Sequence, residues 1–221
     1  PGWHIECSVM SSKYLGIPFD IHGGGKDLVF PHHENERAQS ESATGTRFVN
    51  YWIHNGFVNI EREKMSKSLG NILLIKDFVK EYHPEVLRLF FLATHYRNPI
   101  DYNEKSIEDM NNALHRLYYT IRRVSEVEKI ETVEPEVYGE AEELEKLFYE
   151  AMDDDFNTAL ALSYVFELSK MLNKLLDEES PANRPFIAYA YRLFTSLARM
   201  LGMLSNDLLT FSSTEKTRHL K

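Results

Sequence analysis

The sequence has little of several features that define familiar protein classes. Cys7 is its single cysteine, so a disulfide within the chain is impossible and a secreted disulfide scaffold is excluded. No apolar run reaches the roughly 18 residues that span a bilayer, and no charged-then-apolar leader opens the chain. Glycine and proline number 10 and 8 among 221 residues, which predicts a largely ordered chain. We therefore expect a cytoplasmic protein with no membrane partner.

The net charge of −9 comes from one acidic segment. Residues 126–155 hold 13 acidic residues against two lysines, whereas the rest of the chain has 23 basic and 21 acidic residues. We interpret this segment as a solvated helix face and loop. The other surfaces can still present basic patches to phosphate groups, so a nucleic-acid partner is not excluded.

Regions of the sequence differ in their hydrophobic patterns, which predict an α/β part followed by an all-α part. Residues 1–70 combine glycine, histidine and aromatic residues with short apolar runs, as in mixed α/β structure. Residues 71–102 carry short helical patterns, and Pro84 suits the first turn of a helix. Four segments of residues 103–205 have apolar side chains at helical spacing, which predicts a helical bundle with joints at Glu131–Gly139 and Glu178–Pro185. The polar residues 206–221 predict a flexible tail.

One group of residues early in the chain has the chemistry of a metal site. His32 and Glu36 are four apart, so on a helix they share one face, and Cys7 can join them from a separate segment. His33 and Glu34 are spare candidates in the same stretch. A thiolate, an imidazole and a carboxylate together suit Zn²⁺ better than Mg²⁺ or Ca²⁺, and leave at least one coordination position open. The alternative is a buried structural cysteine beside a helix-capping histidine.

Two further segments suggest nucleotide binding. The run Asp20–Asp27 contains the triplet Gly23–Gly25, which would let the backbone adopt positive φ and approach a ligand, with Asp27 placed to bind ribose hydroxyls. A tight structural turn explains such a triplet equally well. The string Lys64-Met65-Ser66-Lys67-Ser68 puts two mobile positive charges on a loop expected after a strand, where they suit the phosphates of ATP. A solvated basic loop is a poor explanation for the whole string.

The lysine string resembles the KMSKS signature of class I aminoacyl-tRNA synthetases letter for letter. Segments Gly2–Cys7, Phe19–Gly25 and Phe30–Glu36 resemble the cysteinyl-tRNA synthetases in particular, and Asp153–Ala159 is similar to the helical tRNA-binding domain of that family. The resemblance covers essentially the whole chain, whereas the HIGH signature of the family and the first half of its Rossmann-like domain are absent. Together with the start at Pro1, this predicts a cut front end and a fragment that is inactive by itself.

The resemblance implies a fold and an activity. The fold would be the C-terminal half of a Rossmann-like catalytic domain, a short helical connector that contacts the tRNA stem, and an antiparallel helical bundle that binds tRNA. The activity would be ATP-dependent formation of cysteinyl-adenylate, with Mg²⁺ expected, and transfer of L-cysteine to tRNA(Cys) by a monomer. One Zn²⁺ per subunit would bind the substrate thiol, a soft bond that serine cannot reproduce, so that no editing site is needed.

The resemblance also implies roles for individual residues. A fourth metal ligand would be a cysteine of the missing N-terminal part. The metal ligands of this chain would be Cys7, His32 and Glu36, and the amino-acid contacts would be Trp3 and His22. Gly24, Gly25 and Asp27 would contact the adenosine. Lys64, Ser66 and Lys67 would contact the phosphates, and the two lysines would be catalytic. Candidate contacts to tRNA phosphates are Lys76, Lys80, Arg88, Arg97, His115, Arg116, Arg122 and Arg123.

Three other interpretations are open at this point. A cysteine ligase of the mycothiol pathway joins cysteine to an amino sugar, and charging of tRNA would distinguish the two enzymes. Methionyl-tRNA synthetase shares the lysine string but does not use zinc in this way. A non-catalytic module that binds zinc and RNA would fit a fragment.

Overall fold

The structure is a computed structural model that describes residues 2–60, the backbone of 63–64, and residues 74–127 and 139–205. Eight helices and five strands lie in these ranges, with two 3₁₀ turns and one π turn between them. In chain order they are α1 (His4–Leu15), β1 (Phe19–Gly25), a 3₁₀ turn (Lys26–Leu28), a π turn (Val29–His33), α2 (Glu34–Thr44), β2 (Val49–Asn55), β3 (Val58–Ile60), β4 (Glu63–Lys64), α3 (Ile75–Glu81), α4 (Pro84–Leu92), β5 (Ile100–Tyr102), α5 (Glu104–Ser125), α6 (Gly139–Asp153), α7 (Thr158–Asp177), a 3₁₀ turn (Pro181–Asn183) and α8 (Arg184–Met200).

The first part of the chain is a β–α–β unit. Strands β1 and β2 pair in parallel, from Phe19 opposite Val49 to Gly25 opposite Asn55. Helix α2 forms the connection between them, as parallel strands require, and packs against α1. The carboxyl end of β1 therefore leads directly into the turns that precede α2. In a second sheet, β3 lies between β4, which is antiparallel to it, and β5, which is parallel.

Helix starts follow the local sequence. Pro84 lies in the first turn of α4, as predicted, where its missing N–H is not needed. His83 caps this helix, because its Nδ1 accepts a hydrogen bond of 3.3 Å from the backbone N–H of Glu85. Asn103 and Ser106 form a reciprocal capping box at the start of α5.

Most of the buried apolar surface lies between the helices. Helices α3 to α8 share one core, whose fully buried members include Leu89, Leu114, Phe148, Leu168 and Phe194. Residues 104–125 and 139–200 are mostly helical, as the sequence predicted for this part of the chain. One boundary differs, because α8 begins at Arg184 and takes Pro185, expected in the preceding joint, into its first turn.

A polar ladder fixes the register of α5 against α7. The hydroxyls of Thr120 and Ser169 lie 2.7 Å apart, and Asn173 Nδ2 donates to Thr120 Oγ1 at 2.6 Å. Arg123 donates to Asn173 Oδ1 at 3.0 Å and to Asp177 at 2.7 Å. A slip of one helix along the other would leave the buried hydroxyls without these partners, which is costly.

The β1–β2 sheet has a much smaller core, formed by Phe19, Phe48 and Val49. Ile21 and Tyr51 are opposite each other in the register and are both exposed, at 55% and 69%. One face of this sheet is therefore apolar but uncovered by the described residues. No described helix is both long and apolar enough to cross a membrane.

Candidate metal centre

Three side chains from separate early segments meet at the start of α2. Cys7 comes from α1, His32 from the π turn and Glu36 from the first turn of α2. Their ligand atoms, Sγ, a ring nitrogen and a carboxylate oxygen, all lie within 4.8 Å of one another. His32 and Glu36 are buried and Cys7 is half-buried. The structure thus brings together the three residues that the sequence grouped, while their role as ligands stays a prediction.

The environment of the Glu36 carboxylate indicates whether this site suits a cation, because the side chain is 0% exposed. Its Oε2 accepts a hydrogen bond of 2.7 Å from His22 Nε2. Its Oε1 lies 2.7 Å from His32 Nε2 but has no aligned hydrogen-bond donor among the described residues. A buried oxygen in this state is costly unless a cation or proton satisfies it. The residues present therefore fit a metal ion such as Zn²⁺.

The thiol of Cys7 has an environment that opposes ionisation when no cation is near. Burial raises its pKa first, and the negative charges of Glu36 and then Glu6 raise it further. A bound cation would reverse this balance, since a coordinating thiol is deprotonated. Cys7 is therefore poorly suited to act as a free nucleophile and well suited to act as a ligand.

His32 is oriented by its neighbours. The Trp3 ring lies against it at a tilt of 31°, with 3.9 Å between the ring centroids. His32 Nδ1 lies 3.3 Å from His4 Nδ1, and His4 Nε2 lies 3.2 Å from the side-chain amide nitrogen of Asn35. The amide nitrogen of Asn35 can only donate, so a neutral His4 accepts at Nε2 and its Nδ1–H then faces His32 Nδ1. These neighbours therefore fix the orientation of the His32 ring.

A second set of rings borders the site, and we name it the histidine–tryptophan wall: His22, His33, Trp52 and His54. The Trp52 ring centroid lies 4.9 Å from that of His22 and 5.2 Å from that of His33. His33 Nδ1 lies 2.7 Å from His54 Nε2, within hydrogen-bond distance. Burial lowers the pKa of His33 to about 4, with further lowering by His22, His54 and His32. The His33 ring is therefore neutral at pH 7.

His22 and His33 form a second possible ligand group with Glu36, again with all ligand atoms within 4.8 Å. The two groups share one carboxylate, and Glu36 Oε2 already accepts from His22. Hydrogen bonds to a ligating carboxylate are typical of outer partners of a metal site. His22 therefore fits a partner of Glu36, and Cys7, His32 and Glu36 stay the predicted ligand set.

Sequence reasoning missed Trp52, His54 and His4. Trp52 and His54 alternate along β2 and so point to one face, and His54 is opposite Gly24 in the register. The alternation was visible in the sequence, but the pairing that carries β2 next to the glycine triplet was not.

The glycine triplet lies in a strand, which corrects the predicted turn with positive φ. Gly23, Gly24 and Gly25 form the end of β1, and none of them is among the positive-φ glycines. A Cβ at Gly24 would lie 2.9 Å from the His33 ring and 2.9 Å from the Leu28 side chain. Gly24 is thus needed so that His33 can pack against the strand. Its role with Gly25 at ATP stays a prediction.

The remaining nucleotide-site predictions are placed only in part. Asp27 lies in the 3₁₀ turn after β1. Lys64, the first residue of the lysine string, ends β4, and the structure describes only its backbone. Ser66 and Lys67 lie outside the described residues.

Several candidate phosphate contacts are engaged within the chain. Lys80 pairs with Asp77 at 2.6 Å, Arg97 pairs with Asp155, and Arg122 lies 3.8 Å from Glu126. Arg123 belongs to the ladder between α5 and α7. These ion pairs weaken the individual case for each cation as a phosphate ligand.

Comparison with known protein families matches both parts of the chain. Residues 1–112 match the family described as the tRNA synthetases class I (C) catalytic domain. Residues 147–205 match the DALR domain.

Similar curated proteins share a name, and each is longer than this chain. A cysteine–tRNA ligase of Syntrophotalea carbinolica is 53% identical over 207 residues, 92% of this chain and 43% of the relative. One of Thermococcus gammatolerans is 50% identical over 213 residues, 93% of this chain and 45% of the relative. This chain therefore spans less than half the length of these relatives.

A solved structure is similar in fold. The crystal structure of the ternary complex of the agnB2 LeuRS of Agrobacterium radiobacter K84 with tRNA and LeuAMS aligns with a TM-score of 0.65. It is 20% identical, and the alignment covers 83% of this chain and 25% of that one. At this identity the similarity shows a class I synthetase-like fold and nothing finer.

Proposed function

Since this chain belongs to the tRNA synthetases class I (C) catalytic-domain family, we propose that it is part of a cysteine–tRNA ligase. The complete enzyme activates L-cysteine with ATP, with Mg²⁺ as the usual companion of ATP, and transfers the cysteine to tRNA(Cys). The observation that carries the proposal is the meeting of Cys7, His32 and Glu36 around a buried carboxylate oxygen that has no aligned hydrogen-bond donor in the described ranges. The names and identities of the relatives support the same activity.

The three ligands account for selection of cysteine over serine. Cys7, His32 and Glu36 would hold one Zn²⁺, and the bound ion supplies an open position that takes a thiolate more strongly than a hydroxyl. A pocket that recognised shape alone would separate these near-isosteric amino acids poorly. Trp3 covers the His32 ring and forms a wall of the amino-acid pocket, and His22 holds the Glu36 carboxylate in place.

The nucleotide would lie along the carboxyl ends of β1 and β2. Ligands of α/β sheets bind at this edge. Gly24, Gly25 and Asp27 would face the adenosine, and Lys64, Ser66 and Lys67 would bind the phosphates. Positioning and charge stabilisation suffice for adenylate formation and for transfer, and no covalent protein nucleophile is needed.

The finer architecture belongs to the same proposal. Residues 1–70 would be the C-terminal half of a Rossmann-like catalytic domain, whose remaining strands would cover the apolar face with Ile21 and Tyr51. Residues 71–102 would be the connector, and 103–205 an antiparallel bundle that binds tRNA. We expect a monomer that acts in the cytoplasm.

The direct test uses a protein with the full length of the relatives. Cysteine-dependent ATP–pyrophosphate exchange and aminoacylation of tRNA are measured, with serine in place of cysteine as the control. We expect both reactions with cysteine, no detectable exchange with serine, and loss of exchange after zinc is removed by chelation. Exchange with transfer to an amino sugar and not to tRNA would support the mycothiol-type ligase, and exchange with methionine would contradict the proposal.

A further inference from the structure

The turn between α6 and α7 has an unusual backbone. Asp155 and Phe156 both have a φ of 54°, in the left-handed region that side chains with a Cβ disfavour. The backbone N–H of Phe156 donates to Met152 O, and that of Asn157 donates to Ala151 O, each at 3.1 Å. Two consecutive non-glycine residues persist in this conformation only when their surroundings hold them there.

The side chains of Tyr96 and Arg97, which are distant in the sequence, stabilise this conformation. The Tyr96 hydroxyl donates to Asp155 Oδ1 at 2.6 Å, and Arg97 donates to both carboxylate oxygens, with Nη2 3.0 Å from Oδ1. The two-pronged geometry is the strong form of an arginine–carboxylate pair. These contacts lower the pKa of Asp155 to about 2. A second contact lies nearby, where Thr158 Oγ1 donates to Leu92 O at 3.0 Å.

The segment that holds the turn is itself attached to the end of β2. The backbone N–H of Gly56 donates to Tyr96 O at 2.8 Å, and Ile100 N–H donates to Phe57 O at 2.9 Å. Gly56 leaves no room for a Cβ, which would lie 2.2 Å from Asn98 O. A short path of hydrogen bonds therefore joins His54 of the wall, two residues before Gly56, to Asp155.

Direct packing between the turn and β2 is incomplete. A cavity of about 410 Å³ is lined by Phe156 and Thr158 together with Ile53, Asn55 and Gly56. Apolar contacts across such a gap are weakened. The shared core places the helices, and the polar contacts at the rim of the cavity connect the turn to the end of β2.

We infer, on the basis of the proposed function, that Asp155 is a positioning residue. It holds the α6–α7 turn, and with it the helical part, in a fixed place relative to the end of β2 that carries the histidine–tryptophan wall. Asp155 contacts neither the ligand group nor the wall. It acts through Tyr96 and Arg97, on the placement of tRNA relative to the aminoacyl group. Transfer to tRNA depends on it, and amino-acid activation does not.

The test compares Asp155→Asn with Asp154→Asn in the full-length enzyme. Asp154 is exposed in the same turn and has no ion pair or side-chain hydrogen bond within the described ranges, so Asp154→Asn makes the same chemical change without loss of a partner. We expect Asp155→Asn to lower kcat/KM for tRNA by about ten-fold or more, as misplacement does. Cysteine-dependent ATP–pyrophosphate exchange stays within about two-fold of wild type. The control should match wild type in both reactions.

Two further variants separate positioning from folding. Tyr96→Phe removes one hydrogen bond to Asp155 and should lower only the tRNA reaction, to a smaller extent. Arg97→Gln combined with Asp155→Asn should lose no more than either single change, because both remove the same contact. Hydrogen exchange at the Gly56 amide should be faster in Asp155→Asn than in the control, independent of activity.

Several outcomes would overturn the inference. These are an unchanged tRNA reaction in Asp155→Asn, an equal fall in exchange and transfer in all variants, or unchanged protection of Gly56. Absence of cysteine-dependent exchange in the wild type would instead refute the proposed function, while the Gly56 measurement would still test the attachment of the turn.

Discussion

Replacing Glu36 with glutamine tests the candidate metal centre most directly. The substitution preserves shape and keeps an oxygen that can accept from His22, but it removes the charge that would bind a cation. The wild-type carboxylate is 0% exposed, and its Oε1 has no aligned hydrogen-bond donor in the described part of the chain. A buried oxygen in that state costs about 1–3 kcal/mol. Without metal, Glu36→Gln should therefore be no less stable than wild type.

With zinc bound, the wild-type protein should be more stable than Glu36→Gln. A ligand at 100 times its Kd stabilises the folded state by about 2.7 kcal/mol. For a chain of this size, that raises Tm by about 5–11 °C. Loss of a ligand should weaken binding by at least the roughly 100-fold that outer partners can cost. At the same zinc concentration the variant then gains only about 0.4 kcal/mol.

Tryptophan fluorescence monitors unfolding selectively at this site. Trp3 and Trp52 are the two tryptophans of the chain, and both have ring contacts with histidines of the site. Thermal unfolding followed by their emission, in EDTA and in zinc, gives the shift for each protein. Glu34→Gln is the matched control, since Glu34 is an exposed carboxylate on the same helix that pairs with Arg37. The assignment would be refuted if zinc raised the Tm of Glu36→Gln as much as that of wild type, or if it did not raise the Tm of Glu34→Gln.

Three more outcomes are expected. Cys7→Ser should lower bound zinc measured by elemental analysis, and unchanged metal content would remove Cys7 from the ligand set. Gly24→Ala should destabilise the site by about 1–3 kcal/mol, because its Cβ would meet His33 and Leu28 at 2.9 Å; an unshifted tryptophan-monitored transition would contradict this. Burial lowers the pKa of His83, so the unfolded state gains a proton first and stability should fall as the pH drops below about 6.5. In His83→Asn, which keeps a capping oxygen, the difference in unfolding free energy between pH 7 and pH 5 should shrink, and an unchanged difference would rule out His83 as its source.

The helical part was predictable because its signals are local. Apolar spacing marked α5 to α8, and Pro84 marked the start of α4. The period of a helix and the chemistry of its first turn act within a few residues, so they can be read without tertiary contacts. The start of α8 was misplaced by the same kind of reasoning, since a proline fits either a joint or a first turn.

The glycine triplet shows where local interpretation failed. Three glycines predict a turn when considered alone, but Gly24 lies in β1, where a Cβ would meet the His33 ring. This restriction comes from a residue nine positions later in the sequence. Likewise the partners of Asp155 in the Asp153–Ala159 motif, Tyr96 and Arg97, lie 59 and 58 positions earlier in the chain.

The sequence by itself indicated the chemistry of the candidate site. Cys7, His32 and Glu36 suggested a soft-metal site, and the spacing of His32 and Glu36 placed them on one helical face. Tertiary structure alone decided that Cys7 joins them, that His22 holds the second oxygen of Glu36, and that Trp52 and His54 border the site. The reason is physical: residue type and spacing fix local geometry, whereas the parallel pairing of β1 with β2 decides which distant side chains share one buried space.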